Sequence, residues 1–261
     1  MSLQNKTLLS SLHEILPEGV VASSAWLEEK GYSRQLVYKY VHSNWLEKLG
    51  RGAFIRSGSL LEWQGVVLGL QQLSHLPLHV GGLTALNLQG YSHYLQLAGE
   101  TNIHLYGNKK FPSWVNSLIL RQKFILHKSL FDEEAQEFGF KQSTTKIRDW
   151  TLTVSAPERA ILEALYQVEK GGISFQHANE LFEGLTALRP KLVNSLLKSC
   201  KSDKAVRLFL FLANYNNHVW FKKVEQDNLI GKGKMQIVKG GRFDNLYRIT
   251  VPESFMMSEA F

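Results

Sequence analysis

The sequence predicts an α+β protein in which a small helical module ending in a hairpin precedes a larger α+β C-terminal domain. Three observations carry that class. Helix-period apolar spacing with serine caps fills the first 42 residues, and two short extended runs then flank Gly50-Arg51-Gly52. Beyond residue 60, helical and strand patterns alternate only loosely, unlike the regular alternation of a parallel βαβ array.

In the first module, Thr7 to Leu16 places Leu8, Leu12 and Ile15 at helical spacing, and Ser23 starts a second helix running to Lys30. Gly31 can take the left-handed conformation that ends this helix, and Ser33 can cap the next by accepting a bond from an orphan backbone N–H. Two helices therefore meet across a tight turn. At about 100° per residue, Leu36, Val37, Tyr40 and Val41 share one face of the third helix. Gln35, Tyr38, Lys39 and His42 lie opposite, with Arg34 on the flank. Leu46 to Leu49 and Ala53 to Arg56 read as strands, whose two intervening glycines permit the positive φ of a tight hairpin. Three helices followed by a hairpin is the order of a winged helix-turn-helix, and Ser57-Gly58-Ser59 reads as a hinge closing it. The expected domains are 1–60 and 61–261.

Charge sharpens that module. From Lys30 to Arg56 the chain carries Lys30, Arg34, Lys39, Lys48, Arg51 and Arg56 against one acid, Glu47, whereas the residues before Lys30 are mostly acidic among their charges. Such a helix puts Arg34, Gln35 and Tyr38 at base edges of a DNA major groove, with Lys39 and His42 on the same free face. Arg51, at the hairpin tip, reaches a flanking phosphate or a narrow minor groove, and Lys48 and Arg56 add charge to the hairpin. A protein-docking module with a solvated basic face is the bland alternative.

After residue 60 the patterns predict a helix at 61–73 and a glycine-started, glycine-ended helix at 79–90. Strands are expected at 101–106, 118–127 and 150–154. Ser155-Ala156-Pro157-Glu158 meets the helix-start rule for a helix at 157–168, on which Arg159 and Glu163 pair one turn apart. Asp132-Glu133-Glu134 resembles the first turn of a helix. Two more helices, near 191–198 and 204–213, precede a basic hairpin around Gly240-Gly241. The 261 residues, 44% hydrophobic, suffice for a packed core, and the net charge of +7 favours a polyanionic partner. Lys201 to Arg248 holds ten Lys or Arg against four acids, a second basic region that is either a nucleic-acid surface or a solvated face. The lone Cys200 excludes an intrachain disulfide and reads as a small buried thiol. With no signal-like or membrane-spanning apolar run, a cytoplasmic protein with no membrane association is expected.

Catalytic patterns are sparse, and no catalytic residue, cofactor or metal is expected. Gly231-Lys232-Gly233-Lys234 lacks the spacing of a phosphate loop, and no Asp-x-Asp pair exists for two-metal transfer. Gly31-Tyr32-Ser33-Arg34-Gln35 and Gly90-Tyr91-Ser92-His93-Tyr94 both lack the closing glycine of a nucleophile elbow. His75, His79, His93 and His104 cluster in sequence, but Pro77 separates the first two and no Cys or acid completes a metal set.

Three blocks in order, GYSRQLVYKYVHSNWLEKLGRGAFIR, HVGGLTALNLQGYSHY and VSAPERAILEAL, span residues 31–165 and resemble the AbiEi antitoxins of bacterial type IV toxin–antitoxin and abortive-infection systems. The resemblance implies an N-terminal winged helix-turn-helix that binds double-stranded operator DNA at promoter inverted repeats, repressing its own operon, and a C-terminal antitoxin domain. It implies a nucleotidyltransferase-like toxin as functional partner, without a stable complex. DNA contacts carried over by position fall on Ser33, Arg34, Gln35, Tyr38, Lys39 and Arg51. A ligand-responsive winged-helix transcription factor with no toxin partner is the alternative, and an enzyme or RNA-directed factor is a third.

Overall fold

The computed structural model of the chain describes residues 3–91, 102–132, 138–170 and 172–256. The first module comprises α1 (Leu3–Ile15), β1 (Ala22–Ser23), α2 (Ser24–Glu29), α3 (Arg34–His42), β2 (Leu46–Gly50) and β3 (Ala53–Arg56). The strands form an antiparallel sheet in the order β1-β3-β2. Ser23 Oγ accepts from Trp26 N at 3.1 Å and Ser33 Oγ from Leu36 N at 3.3 Å, so both serine caps form. Gly31 has φ +87° and separates the two helices. Only Gly52 of the hairpin glycines has positive φ, at +82°. Gly50 instead serves close approach: a Cβ there would lie 2.3 Å from Ser117 Oγ.

The larger domain is built on a mixed five-stranded sheet ordered β6-β5-β4-β8-β7. Its strands are β4 (Leu78–Val80), β5 (Asn102–Gly107), β6 (Lys123–His127), β7 (Phe140–Thr144) and β8 (Thr151–Ser155). β5 runs parallel to β6 and β4 parallel to β8, while the β4–β5 and β7–β8 pairs are antiparallel. The helices are α4 (Trp63–Leu68), which continues as a π-helical turn over Gly69–Leu73, then α5 (Gly82–Leu88), α6 (Pro157–Tyr166), α7 (Phe175–Glu183), α8 (Pro190–Ser199) and α9 (Asp203–Tyr215). A two-stranded ribbon, β9 (Arg242–Asp244) and β10 (Ile249–Val251), follows.

Strand alternation divides this sheet chemically. Val80, Ile103, Leu105, Leu152 and Val154 face a core that also contains Leu12, Trp26, Val37, Tyr40, Val66 and Leu70, so side chains on both sides of residue 60 share it. His79, His104, Tyr106, His127 and Ser155 take the other face, where they meet α6. There Glu163 Oε1 accepts from His79 Nε2 at 2.9 Å and Arg159 Nε at 3.2 Å. Its Oε2 accepts from Gly82 N at 2.9 Å and Ser155 Oγ at 2.8 Å. Behind α6 lies α9, buried from Ala205 to Ala213 and apolar over that stretch except for Arg207.

Several expectations change. The 79–90 segment is a strand followed by a shorter helix, because Val80 is drawn into the sheet and Gly81 is the N-cap of α5. A Cβ at Gly81 would sit 2.3 Å from Glu163 Oε2 and 2.4 Å from Tyr106, which explains the paired glycines. Ser155 does not cap α6: Ala156 is the cap residue, and Ser155 donates to Glu163 instead. Glu158 closes no capping box but accepts from Arg189 Nε at 2.9 Å and Nη2 at 3.0 Å. Arg159 and Glu163 do pair, but buried to 1% exposure rather than on a solvated face. The strand expected at 118–127 is only Lys123–His127, preceded by a 3-10 turn at Ser113–Ser117. Gly240-Gly241 precede β9, and the ribbon turns after Asp244. Cys200 ends α8 half-buried, and burial pushes its thiol up to about 11. In the basic tail, Arg207 is consumed internally, bonding Asp203, Gly231 O and Gly233 O. Glu133-Glu134, Ser92 and His93 lie outside the described residues.

The polar face has a pH consequence. His104 Nδ1 lies 2.9 Å from His127 Nε2, and burial together with His127 lowers His104 from 6.5 to about 4. The unfolded chain therefore takes up this proton before the folded one, so stability is full above pH 6.5 and falls as pH drops toward about 4. A shift of that size corresponds to about 3 kcal/mol. Urea unfolding across this range is expected to show the decline, and His104→Gln to flatten it.

Candidate nucleic-acid interface

The inner face of α3 is fixed by Val37 and Tyr40, both buried, and Tyr32 anchors the preceding turn by donating its hydroxyl to Leu8 O at 3.0 Å. That seating turns Arg34, Gln35, Tyr38, Lys39 and His42 to solvent, as the helical wheel requires. Tyr38 is 65% exposed, and its ring meets the edge of His42 at 4.2 Å. Ser33 is exposed, its hydroxyl committed to the cap.

Arg34, Tyr38 and Lys48 come together around a groove of about 250 Å³ between α2, α3 and the hairpin, floored by Val37 and Phe54. Arg51 stands exposed in the two-residue turn at the hairpin tip. Arg56 lies apart: its side chain is 17% exposed and Nη2 contacts Glu18 Oε1 at 3.0 Å.

A residue that periodicity did not single out is Glu28, whose Oε1 accepts from Arg34 Nε at 2.5 Å across the turn between α2 and α3. The hydrogen bond and charge of this carboxylate raise the guanidinium's pKa above its usual value, so Arg34 stays charged and paired at the groove. An acid six residues before an arginine, on a different helix, has no sequence signature, and only the turn at Gly31 brings them together.

The hairpin is braced from the larger domain by the Gly50–Ser117 approach. The module is also tied at α1, whose terminal carbonyls His13 O and Glu14 O each accept from the Arg148 guanidinium at 2.8 Å. Among the described residues no group of three or more His, Cys, Asp or Glu could hold a metal. No helix among them is long and apolar enough to cross a membrane.

Two family models match nearly the whole chain. Residues 5–97 match the "AbiEi antitoxin N-terminal domain" of transcriptional regulators, and residues 100–252 match "Transcriptional regulator, AbiEi antitoxin, Type IV TA system". The chain belongs to the AbiEi antitoxin family. Its N-terminal domain and larger C-terminal domain thus belong to a family of transcriptional regulators of toxin–antitoxin systems. No curated protein matches the sequence. Among solved structures, the fold is similar to that of the RV2827C protein from Mycobacterium tuberculosis, with a TM-score of 0.54 at 13% identity over 95% of this chain and 91% of that one. At that identity the likeness concerns the fold alone.

Proposed function

We propose that this AbiEi-family regulator is a cytoplasmic winged-helix repressor and antitoxin. Residues 1–60 form its DNA-reading unit, which binds inverted repeats in its own promoter. The observation that carries this reading is the outward face of α3, where Arg34, Gln35, Tyr38 and Lys39 are exposed beside a hairpin that presents Arg51. A helix seated this way meets base edges through its first turns while the hairpin cation meets the backbone. Ser33 supplies a helix N-terminus suited to a phosphate, and His42 and Lys48 extend the contact surface. Arg56, held by Glu18, adds field rather than direct contact. In the family's pattern, the C-terminal domain counteracts a nucleotidyltransferase-like toxin without forming a stable complex with it.

The test is retardation of the upstream promoter fragment across a salt series. Arg34→Ala is expected to weaken binding about 10- to 100-fold and to relax preference at one base position. Arg51→Ala is expected to weaken binding to all sequences alike and to lower the salt slope by about one unit. Unchanged retardation by both variants would overturn the reading. Co-expression with the neighbouring toxin gene tests the antitoxic part, and a neighbourhood with no such gene favours a ligand-responsive regulator instead.

A further inference from the structure

The polar face of the five-stranded sheet opens to solvent at the carboxyl ends of the parallel strands β5 and β6. β5 runs out into Asn108 and Lys109, β6 into Lys128 and Ser129, and Ser129 N donates to Asn108 Oδ1 at 3.3 Å, joining the two ends.

Two cavities meet there and share Ser129. The first, about 390 Å³, carries Lys109 at its mouth and Arg159 in its wall. The second, about 510 Å³, is lined by His127, Lys128, Tyr166, Lys201 and Ser202. Both fall in the size range of small-molecule sites. Neither is lined by a described acid. The ammonium groups of Lys109, Lys128 and Lys201 make no hydrogen bond or ion pair among the described residues. Of the described acids nearby, Glu163 belongs to the buried network, Asp203 pairs with Arg207, Glu169 accepts from Phe175 N and acts on Lys204, and Asp132 follows the bridge between Phe131 and Cys200.

More positive charge backs the second cavity. Lys204 donates to Tyr166 O at 3.4 Å, and Lys170 lies 4.0 Å from the Tyr166 ring centroid. Burial, followed by the charge of Lys170, lowers Lys204 to about 8. Ser202, in the wall of this cavity, caps α9 by accepting from Ala205 N at 3.2 Å, and the first-turn acid of that helix, Asp203, is paired with Arg207.

We propose that this cleft binds the phosphate chain of a small polyphosphate, either a nucleoside triphosphate or an inorganic polyphosphate, between Lys109, Lys128 and Lys201. Ser129, whose hydroxyl bonds the Phe131 backbone, lines both cavities, and Tyr166 lines the second. Lysine suits such a chain as a set of point charges, with no need for the fixed fork of arginine. The site lies in the larger domain, so it stands or falls independently of the α3 reading.

The test is calorimetric titration of the full-length protein with sodium tripolyphosphate and, separately, with ATP. The expected result is binding of tripolyphosphate, weakened at least tenfold in the Lys128→Glu/Lys201→Glu double variant. Both positions are exposed, so the variant is expected to fold, and circular dichroism checks this. Lys109→Gln/Lys128→Gln provides a milder second variant with a smaller loss in the same direction. ATP binding as tight as tripolyphosphate, or tighter, assigns a nucleotide. Tripolyphosphate alone assigns the inorganic chain. No heat with either ligand at millimolar concentration, binding of ATP without tripolyphosphate, or equal affinity in wild type and both variants would overturn the proposal.

Discussion

Glu163→Ala is expected to lower the unfolding free energy by about 3–5 kcal/mol, read as a fall in the urea midpoint with an unchanged slope. The carboxylate sits at 0% exposure and receives His79 Nε2, Arg159 Nε, Gly82 N and Ser155 Oγ. As an ionised carboxylate accepts only, the His79 ring must carry its hydrogen on Nε2. Burial alone would raise the Glu163 pKa, but His79, Arg159 and the Gly82 N–H together hold it below the usual 4.5. Burial acts on Arg159 too, lowering it despite its partner, yet a guanidinium starts so high that it keeps its charge. Removing the carboxylate therefore takes the charge partner from a buried cation that otherwise donates to Phe138 O and lies between the Phe131 and Phe140 rings, 4.2 and 4.3 Å from their centroids. Glu163→Gln retains shape but turns an amide NH₂ toward donors, so it is expected to recover less than half of the loss. Because the folded pKa is depressed, the stabilisation from Glu163 is present above pH 4.5 and lost as pH falls below it. A wild-type-like midpoint for Glu163→Ala would show that the network is not what holds α6 to the sheet.

Gly65→Ala is expected to cost about 3 kcal/mol or more, above the usual range for one added methyl in a core. The added Cβ would lie 1.7 Å from Gly19 O and 2.8 Å from Gly19 C, both backbone atoms with no rotamer to retreat into. One turn later, a Cβ at Gly69 would meet Val21 O at 2.0 Å. α4 and its π-helical turn therefore lie directly on the 19–21 segment, and Val21 N donates to Gly65 O at 3.2 Å. An alanine pushes the helix off the first module and opens the core shared by Trp26, Val66 and Leu70. Differential scanning calorimetry checks this, and a transition temperature within a degree or two of wild type would refute the close-packing account. The same variant is expected to weaken promoter binding only in proportion to its unfolded fraction, since α3 keeps its own contacts.

The π-helical turn shows why some of the fold stayed hidden from pattern reading. Apolar spacing at 61–73 predicts one continuous helix, and the widening at Gly69–Leu73 comes from Gln71, whose amide bonds Leu78 O, Thr153 O and Thr153 N. Those backbone groups lie at the divergent edge of β4 and β8, which share one registered pair, Val80 with Val154. β7 was missed for a related reason: Phe140 to Thr144 lacks strong alternation of apolar residues and is a strand because β8 lies beside it. α7, by contrast, is amphipathic and capped by Ser174, so its start is legible in the chain itself.

Local chemistry was sufficient for the first module. Serine caps, a left-handed glycine and a 3.6-residue apolar stripe act over a single turn, so residues 31–56 specify α3, its buried and exposed faces, and the hairpin from the chain alone. Contacts between segments distant in sequence decided the rest. They pinned Arg56 to Glu18, drew Ser155 away from its helix cap, gathered His79, Gly82, Ser155 and Arg159 around one buried carboxylate, and brought the Tyr106 hydroxyl to the backbone carbonyl of Glu163. A carboxylate without partners in the interior is costly, and its four donors come from β4, α5, β8 and α6. Only the assembled sheet brings those elements within bonding distance, and neither the buried charge nor the cationic cleft at its edge has a local sequence signature.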